Sequence, residues 1–384
     1  MLDSTDPIRN LYLFSQGCGV ANGSFDPFLS VDELKYVTKS CDNPLCVNTP
    51  TCQHPELHTF LHEVDGLDFD IQLSNVPYTL PGYIPTLDYR SRNLQNLSTK
   101  HYPVVAITLD DILKSGIKMV AGALHEQEIR FRLTTLLGPA FKGKKTILFL
   151  TGPDTLIEWA WYMRNEVRFF QTIASMGFDA VVGFNFSVID GECPVAHALA
   201  QKKSMFSNKL AEQFGLRSIP HIYAVNEYHV ERYANWLNAN PHITLCAINC
   251  QLQDRPEDID TLVKTTTMLL RRVPHLRLLL QGFRITHLYR FGTYIDRIHI
   301  VEKSPIKDGQ FGRKIQVVPE TVELKRAWRR RDEDNMSIVM QNINHRKVYY
   351  ELVKQKYATN YRFPNALLNE LLDSRALGLS TVLK

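Results

Sequence analysis

Three cysteines and three histidines lie within 22 residues near the start of the chain, and these residue types bind metal ions. Cys41, Cys46 and Cys52 have the spacing C-x4-C-x5-C, and the fourth ligand is His54 or one of the two histidines that follow it. Four such ligands in one loop can close a tetrahedron around zinc, and a closed set favours a structural role. Two alternatives stay open, three unligated thiols and an iron–sulfur cluster for which Cys18 would supply the fourth thiolate.

Four carboxylates follow short apolar runs along the middle of the chain, at the points where each run ends. They are Asp88, Asp110, Asp154 and Glu302. A carboxylate in such a position can attack a sugar carbon as a nucleophile, and a second one can act as general acid or base. We therefore interpret the three aspartates as candidate nucleophiles and Glu302 as the candidate acid or base.

Amide, hydroxyl and ammonium groups end the same runs or others like them. They are Asn185, Ser187, Tyr223, Asn249, Gln251, Gln281 and Lys303. By strand alternation Asn185 shares a face with Ser187, and Asn249 shares a face with Gln251. Amides can read the edge of a nucleobase by paired hydrogen bonds. Any one of these positions is also explained as a turn or capping residue, but together they predict a polar substrate pocket.

The elements that must position these groups form a repeating pattern of β-branched or apolar runs and amphipathic stretches. The runs cover residues 82–88, 104–110, 146–151, 180–187, 218–225, 243–251, 276–283 and 297–304. Strands that alternate with helices favour a parallel sheet, and eight such units predict a (β/α)8 barrel-like α/β domain. Pro85 and Pro220 weaken the first and fifth strands, and a doubly wound open sheet is the alternative.

Residues 182–194, 195–204 and 219–225 resemble a bacterial family described only as a domain of unknown function of the 4417 type. The resemblance continues through residues 232–236, 247–251 and 302–305 and covers roughly residues 80–315. It implies one continuous domain and supplies no catalytic residues. We expect a Cys/His-rich cap at 1–80, the barrel-like domain at 81–315, and a basic segment with a helical extension at 316–384. Residues 349–357 and 365–372 have helical spacing, for packing on the barrel or on a protein partner.

Positive charge is concentrated near the C-terminal end. Residues 325–347 hold seven Lys or Arg residues and three acids, which accounts for the net charge of +4. Arginines contact phosphates and an interleaved tryptophan stacks on bases, so this segment predicts nucleic-acid binding. The alternative is a solvated linker in which acids 332–334 pair with the arginines on a helix. The candidate contacts are Arg90, Arg92, Lys325, Arg326, Trp328, Arg329, Arg330 and Arg331.

Composition sets the broad class. A hydrophobic share of 44% with 22% charged residues is typical of a soluble globular protein. No apolar run approaches the ~20 residues that cross a bilayer, and the first residues lack the basic and apolar segments of a secretory signal. We therefore expect a cytoplasmic protein that does not bind membranes. An odd count of seven cysteines makes a disulfide framework a poor explanation.

Other ionisable groups have two interpretations. Lys202 and Lys203 follow the fourth strand on a helix, where they could help to bind an anion or could lie on a solvated face. His221 and His299 lie within strands and are interpreted as core residues.

Three functions remain. The first is an enzyme that acts on a nucleobase or nucleotide, by analogy with the zinc-containing barrel of tRNA-guanine transglycosylases. The second is a non-catalytic nucleic-acid-binding component of a mobile-element or defence complex. The third is a metal-independent hydrolase of small molecules, for which the sequence contains no nucleophile motif.

Overall fold

The computed structural model of the chain describes residue 64 and residues 69–74, 79–88, 103–113, 126–137, 145–188, 194–253, 255–330 and 332–358. These residues form a mixed α/β protein with parallel sheets. In chain order the elements are β1 (Tyr83–Pro85), β2 (Val104–Thr108), α1 (Leu109–Ile112), α2 (Glu126–Leu137), β3 (Lys145–Phe149), α3 (Asp154–Tyr162), α4 (Phe169–Ser175), β4 (Ala180–Val182), α5 (Pro194–Gln213), β5 (Ser218–Ile219), α6 (Glu227–Ala239), β6 (Leu245–Asn249), α7 (Pro256–Arg272), β7 (Arg277–Gln281), a 3-10 segment (Ile285–Arg297), β8 (Ile298–Glu302), α8 (Ser304–Gln310), β9 (Arg313–Val318), β10 (Glu323–Trp328) and α9 (Asn335–Tyr357).

Strands β1 to β8 form two parallel four-stranded sheets, so each of the eight predicted runs contains a strand. One sheet has the order β1-β8-β7-β6 and the other has the order β2-β3-β4-β5. The amphipathic stretches predict helices between the runs, and α3 and α7 follow β3 and β6 accordingly. Strand β5 has only two residues, and Pro220 follows it at once. A proline has no N–H to give to a strand ladder, which is why this strand is so short.

Single parallel bridges lie between the edges of the two sheets. Thr86 bridges to Ala106 beyond the end of β1, and His221 bridges to Ala247 beyond the end of β5. The N–H of Leu87 donates to the carbonyl of Ala106 at 2.8 Å. At the other edge the N–H of Ala247 donates to the carbonyl of Pro220 at 2.8 Å. Backbone pairing therefore continues from one sheet to the other at both edges.

The buried apolar residues form two clusters. The larger cluster joins the helices to one face of the strands. The smaller one takes at least one side chain from each of β1 to β8, and it consists of Leu80, Ile84, Val104, Ala106, Ile147, Phe149, Ala180, Val182, Ile219, Leu245, Ala247, Leu279 and Val301. Side chains alternate along a strand, so each member of the smaller cluster shows which face of its strand packs into that cluster.

Helix α9 runs antiparallel to β8. The Tyr350 hydroxyl donates to the carbonyl of Ile298 at the start of the strand, at 2.6 Å. One turn earlier in the helix, Arg346 lies 3.5 Å from the carboxylate of Glu302 at the end of the strand. The buried face of α9 thus packs on the described part of the chain itself, whereas predicted helix 365–372 lies outside the described residues.

Strands β9 and β10 form an antiparallel hairpin that the sequence analysis did not predict. Trp328 pairs with Arg313 at its open end, and Glu323 pairs with Val318 next to its turn. The basic segment therefore begins as a strand rather than a helix. Ile315 and Val317 of β9 are buried, which anchors the hairpin through one face of one strand. None of the helices within the described ranges combines the length and apolar composition that a bilayer crossing needs.

Candidate functional site

A cavity of about 530 Å³ opens at the carboxyl ends of six strands, β2 to β6 and β8. This volume lies in the range of small-molecule sites. Eight of the eleven predicted catalytic and substrate-binding residues line it: Asp110, Asp154, Asn185, Ser187, Tyr223, Asn249, Gln251 and Lys303. The parallel strands carry their polar ends to one edge, which is why residues almost 200 positions apart in the sequence meet there.

Asp154 and Ser187 form one pair in the cavity wall. The Ser187 hydroxyl donates to Oδ1 of Asp154 at 2.8 Å. Asp154 is the first residue of helix α3. The free N–H groups and the dipole at a helix start favour a negative charge there. The aspartate is therefore held in one orientation at the rim, with its second oxygen outside this hydrogen bond.

Lys303 connects two carboxylates at the opposite wall. Its Nζ lies 3.0 Å from Oδ1 of Asp111 and 3.4 Å from Oδ2 of Asp88. The hydroxyl of Thr108 donates to Oδ2 of Asp111 at 2.6 Å. Burial raises the pKa of Asp111, and the charge of Lys303 and the Thr108 hydrogen bond oppose that rise. Asp88 thus lies behind Lys303, where it contributes negative charge. Asp111 is a member of this group to which the sequence analysis gave no catalytic or binding role.

Amide and phenol groups occupy the wall formed by β5 and β6. The side-chain oxygen of Asn249 accepts from the N–H of Gln251 at 3.0 Å. The amide nitrogen of Gln253 donates to the Tyr223 hydroxyl at 2.6 Å. Burial raises the pKa of Tyr223 to about 12, so the phenol is neutral at physiological pH. Gln253 lies only two positions from Gln251, but it follows the strand end and was therefore not selected.

Gln251 approaches the backbone of the neighbouring strand end at Gly282. A Cβ at Gly282 would lie 2.6 Å from Cγ of Gln251, and its φ of +77° is in the left-handed region. A glycine is required there for both reasons. The turn after β7 thereby leaves room for Gln251 at the rim.

Gln281 lies below the cavity and does not line it. It is buried, and its amide nitrogen donates to the hydroxyl of Thr151, a lining residue, at 2.9 Å. Its side-chain oxygen has no hydrogen-bond partner among the described residues. Gln281 therefore supports the floor of the site through Thr151.

Glu302 lies on the other side of β8 from the cavity. Its carboxylate accepts from the hydroxyls of Tyr83 at 3.2 Å and Ser304 at 2.9 Å, and Arg346 lies 3.5 Å away. Glu302 is the last residue of β8 and does not line the cavity, whereas Lys303, the residue after the strand, does. The structure thus puts the predicted acid or base in a buried ionic contact between β8 and α9.

Lys202 and Lys203 are buried, so the interpretation of this helix segment as a solvated face is wrong. Lys202 is 0% exposed and lies 2.9 Å from Asp70, and Lys203 lies 2.8 Å from Glu158. The ammonium group of Lys203 also lies 4.0 Å from the ring centre of Phe186, which lines the cavity. Both lysines therefore have acidic partners within the protein.

The two strand histidines are buried, as predicted. His221 accepts from the N–H of Asn249 at 3.2 Å, and burial lowers its pKa to about 3. His299 contacts the carbonyl of Pro81 at 2.9 Å, and burial lowers its pKa to about 4. Both are neutral at physiological pH and act as hydrogen-bonding core residues.

The predicted nucleic-acid contacts that the structure describes lie on or beside the hairpin. Lys325, Arg326 and Trp328 belong to β10 and are exposed, and Arg329 and Arg330 follow them. Glu333 contacts Lys314 and the backbone N–H of Arg330, and Asp334 accepts from the N–H of Ser337. Glu333 and Asp334 therefore bind these other partners. The solvated-linker interpretation instead pairs them with arginine side chains.

Several predicted residues lie outside the described part of the chain. They are the metal candidates Cys41, Cys46, Cys52 and His54 and the nucleic-acid candidates Arg90, Arg92 and Arg331. Within the described ranges no group of three or more His, Cys, Asp or Glu side chains is arranged to hold a metal ion. Comparison with known proteins finds no family model that matches the chain and no curated protein that matches it.

Proposed function

We propose that the two four-stranded sheets close into a single (β/α)8 barrel. The bridges at both sheet edges and the apolar cluster with members from all eight strands support this interpretation. The candidate site then occupies the carboxyl end of the barrel, where enzymes of this fold carry their chemistry. The resemblance to the bacterial domain of unknown function belongs to the same proposal, because eight of the residues that carry it line the cavity: Asn185, Phe186, Ser187, Val188, Tyr223, Asn249, Gln251 and Lys303.

We infer that the protein acts on a nucleobase and its sugar within a nucleic acid, as a glycosidase- or transglycosylase-like enzyme. The observation that carries this proposal is that Asp110 and Asp154 line the same cavity as several amides and a phenol. Amide groups suit the donor and acceptor pattern of a base edge, and two carboxylates suit reactions at the anomeric carbon.

The charge of the cavity narrows the ligand further. Asp110, Asp154 and Asp88 supply three carboxylates at or behind its walls, and Lys303 supplies one ammonium group. This surplus of negative charge disfavours a phosphate inside the cavity. The cavity suits a neutral base and sugar. Its negative charge would also stabilise the positive charge that develops on the sugar as the glycosidic bond breaks.

Asp154 is the proposed nucleophile. Its carboxylate would attack the anomeric carbon as the base leaves with the bonding electrons, and the departing nitrogen takes a proton from solvent. Water or a second base then displaces the carboxylate, and Asp110 takes up the proton of the incoming group. Ser187 orients Asp154 through its hydrogen bond, and Asn249 and Gln251 hold the base.

Base release or exchange is the test. Labelled oligonucleotides and free nucleosides would be incubated with the wild type and with Asp154→Asn, Asp110→Asn and the control Glu126→Gln. Glu126 is also a first-turn acid, on α2, and it does not line the cavity. We expect loss of turnover by a factor of at least ~100 in the two cavity variants and none in the control. Unchanged turnover in both cavity variants would refute the assignment.

A non-catalytic nucleic-acid-binding protein is the second candidate, and the exposed basic strand of the hairpin favours it. The two functions separate in one experiment. Binding of an oligonucleotide by the wild type without any base release would favour the second function. Electrostatic binding of either kind weakens steeply as salt rises.

We also propose that Cys41, Cys46, Cys52 and His54 hold a structural zinc ion. Thiolate and imidazole ligands at tetrahedral geometry are typical of such sites, and a closed ligand set leaves no position for catalysis. Metal analysis and an absorption spectrum of anaerobically purified protein test the proposal, with a Cys41→Ser, Cys46→Ser, Cys52→Ser triple variant as control. About one zinc per chain, absent from the variant, is expected. A brown, iron-containing protein would indicate the iron–sulfur alternative.

A further inference from the structure

The open end of the hairpin carries an exposed cluster of two aromatic rings and an arginine. Trp328 is 70% exposed and Phe311 is 63% exposed. The guanidinium carbon of Arg313 lies 5.5 Å from the ring centre of Trp328 and 6.0 Å from that of Phe311. We call Phe311, Arg313 and Trp328 the aromatic platform. Large aromatic rings that are exposed together on a protein surface mark an interaction site.

The backbone holds these three residues together in a defined way. Gly312 has a φ of +70°, and its carbonyl accepts from the N–H of Arg329 at 2.8 Å. A Cβ at Gly312 would lie 2.8 Å from Cδ of Arg329. The left-handed turn at a glycine therefore links α8 to β9 and brings Phe311 beside the strand pair that carries Arg313 and Trp328.

Charge is distributed unevenly along the hairpin. Residues 311–330 contain six Lys or Arg residues and two Glu residues. Glu320 lies in the turn and Glu323 pairs with Val318 next to it, whereas Arg326, Arg329 and Arg330 lie toward the platform. The platform thus combines stacking surfaces with an excess of positive charge, which is complementary to a polyanion with exposed rings.

The platform lies close to the cavity. The amide nitrogen of Asn342 donates to the carbonyl of Pro305 at 3.1 Å and to that of Arg313 at 2.8 Å. These two carbonyl oxygens are therefore no more than about 6 Å apart. Pro305 follows the lining residue Lys303 by two positions, or at most about 7 Å of backbone.

We infer that the aromatic platform binds single-stranded nucleic acid, with unpaired bases stacked on Trp328 and Phe311 and phosphates at the surrounding cations. This inference rests on the proposed association with nucleic acid and adds that the nucleic acid is single-stranded. Rings can stack only on bases that are not paired within a duplex, which excludes intact double helix as the preferred ligand.

Fluorescence anisotropy with labelled oligonucleotides tests the inference. The probes are a thymine and a uracil single strand of about twelve nucleotides, within the usual site sizes, and a duplex of the same length. We expect single strands to bind more tightly than the duplex. We expect Trp328→Ala and Phe311→Ala each to weaken single-strand binding by about fivefold to a hundredfold, because each removes a stacking surface.

Two controls keep a folding defect apart from a binding defect. Trp328→Tyr retains a ring and should retain most of the affinity. Phe131→Ala removes a ring of similar exposure, 65%, from α2, where the neighbouring arginines pair with Glu126 and Glu128, and should have no effect. Equal binding by Trp328→Ala and wild type, or equal affinity for the duplex, overturns the inference. So does an equal loss of affinity in Phe131→Ala.

Charge is tested separately by salt titration. Lys325→Gln with Arg326→Gln should reduce the salt slope of single-strand binding by about 0.7 for each phosphate that is no longer neutralised, while Arg130→Gln should leave the slope unchanged. An unchanged slope in the hairpin variant contradicts the role of these cations.

A failure of the platform inference can be distinguished from a failure of the proposed enzymatic function. Trp328→Ala would keep base release from free nucleosides, whereas Asp154→Asn would keep oligonucleotide binding.

Discussion

Replacing Lys303 with methionine removes the ammonium group that lies between Asp88 and Asp111. Met keeps an unbranched side chain of similar length, so the change is chiefly one of charge. Lys303 is 30% exposed, whereas Asp111 is 4% exposed. The variant therefore leaves a buried carboxylate next to a second one, and the hydroxyl of Thr108 still donates a hydrogen bond to it.

The expected loss of stability follows from the distances. At 3.0 and 3.4 Å and an effective dielectric constant of ~20, each ion pair has a gross Coulomb energy of about 5 kcal/mol. Release of Lys303 from desolvation offsets part of this. Removal of one partner from a buried pair typically costs ~3–5 kcal/mol, and the partial exposure of Lys303 favours the lower end, about 3 kcal/mol. Lys303→Met with Asp111→Asn should recover at least half of that loss, because no buried charge is left.

The loss depends on pH through Asp111. Its pKa in the folded protein is raised above 3.8, so the folded state binds more protons than the unfolded state above that pH. Ionised Asp111 therefore lowers the stability as pH rises from about 4, up to its folded pKa. Lys303 opposes the raised pKa, and its removal extends this interval to higher pH. We expect a small deficit for Lys303→Met at pH 4 and the full deficit at pH 7.

Urea unfolding, followed by tryptophan fluorescence at both pH values, measures these differences. Lys314→Met is the matched control, because Lys314 pairs with the more exposed Glu333 and should cost no more than ~1 kcal/mol. If Lys303→Met with Asp111→Asn were no more stable at pH 7 than Lys303→Met alone, the electrostatic account of this group would be refuted. A deficit that is equal at pH 4 and pH 7 would refute it as well.

Three further changes test the contacts around the hairpin and β8. Arg346→Met should lower the free energy of unfolding in urea by ~3–5 kcal/mol, because Glu302 stays buried without its cation. A variant as stable as the wild type would contradict the ionic role. Asn342→Ala should cost about 3 kcal/mol, measured in the same way, since the Asn342 side chain makes hydrogen bonds to three backbone groups. Gly312→Ala should lower the stability by at least ~1 kcal/mol, seen as a lower Tm, because its φ is +70°; an unchanged Tm would show that the turn adapts.

The sequence predicted the strands and their polar ends but not which face of each strand points inward. Glu302 and Lys303 are neighbours with opposite charge, and both looked suited to chemistry. Their roles differ because the carboxylate of Glu302 contacts Tyr83 and Arg346, whereas Lys303, which follows the last residue of β8, lines the cavity. Tyr83 and Arg346 are distant from Glu302 in the sequence, so the sequence alone does not show which of the two charged residues reaches the cavity.

Long-range partners were the second limit. Lys202 and Lys203 are lysines on a helix, for which a solvated position is the usual expectation. They are buried because Asp70 and Glu158 lie opposite them, 132 and 45 residues away in the sequence. The hairpin was missed for a different reason. Ile315 and Val317 alternate with polar residues in 313–317, as strand residues do, but the basic charge of the segment dominated its interpretation.

The two candidate surfaces have opposite charge, and this difference determines how a nucleic acid could approach. Phosphates are repelled from the cavity, where Asp110 and Asp154 exceed Lys303 in number, and attracted to the hairpin around Trp328. A free nucleotide that entered the cavity would have to bring its phosphate with it, against this repulsion. A strand with an unpaired base suits both surfaces, since its backbone stays at the hairpin while the neutral base and sugar enter the cavity. For the proposed enzyme, the charge pattern thus favours a polymer over a mononucleotide as the substrate.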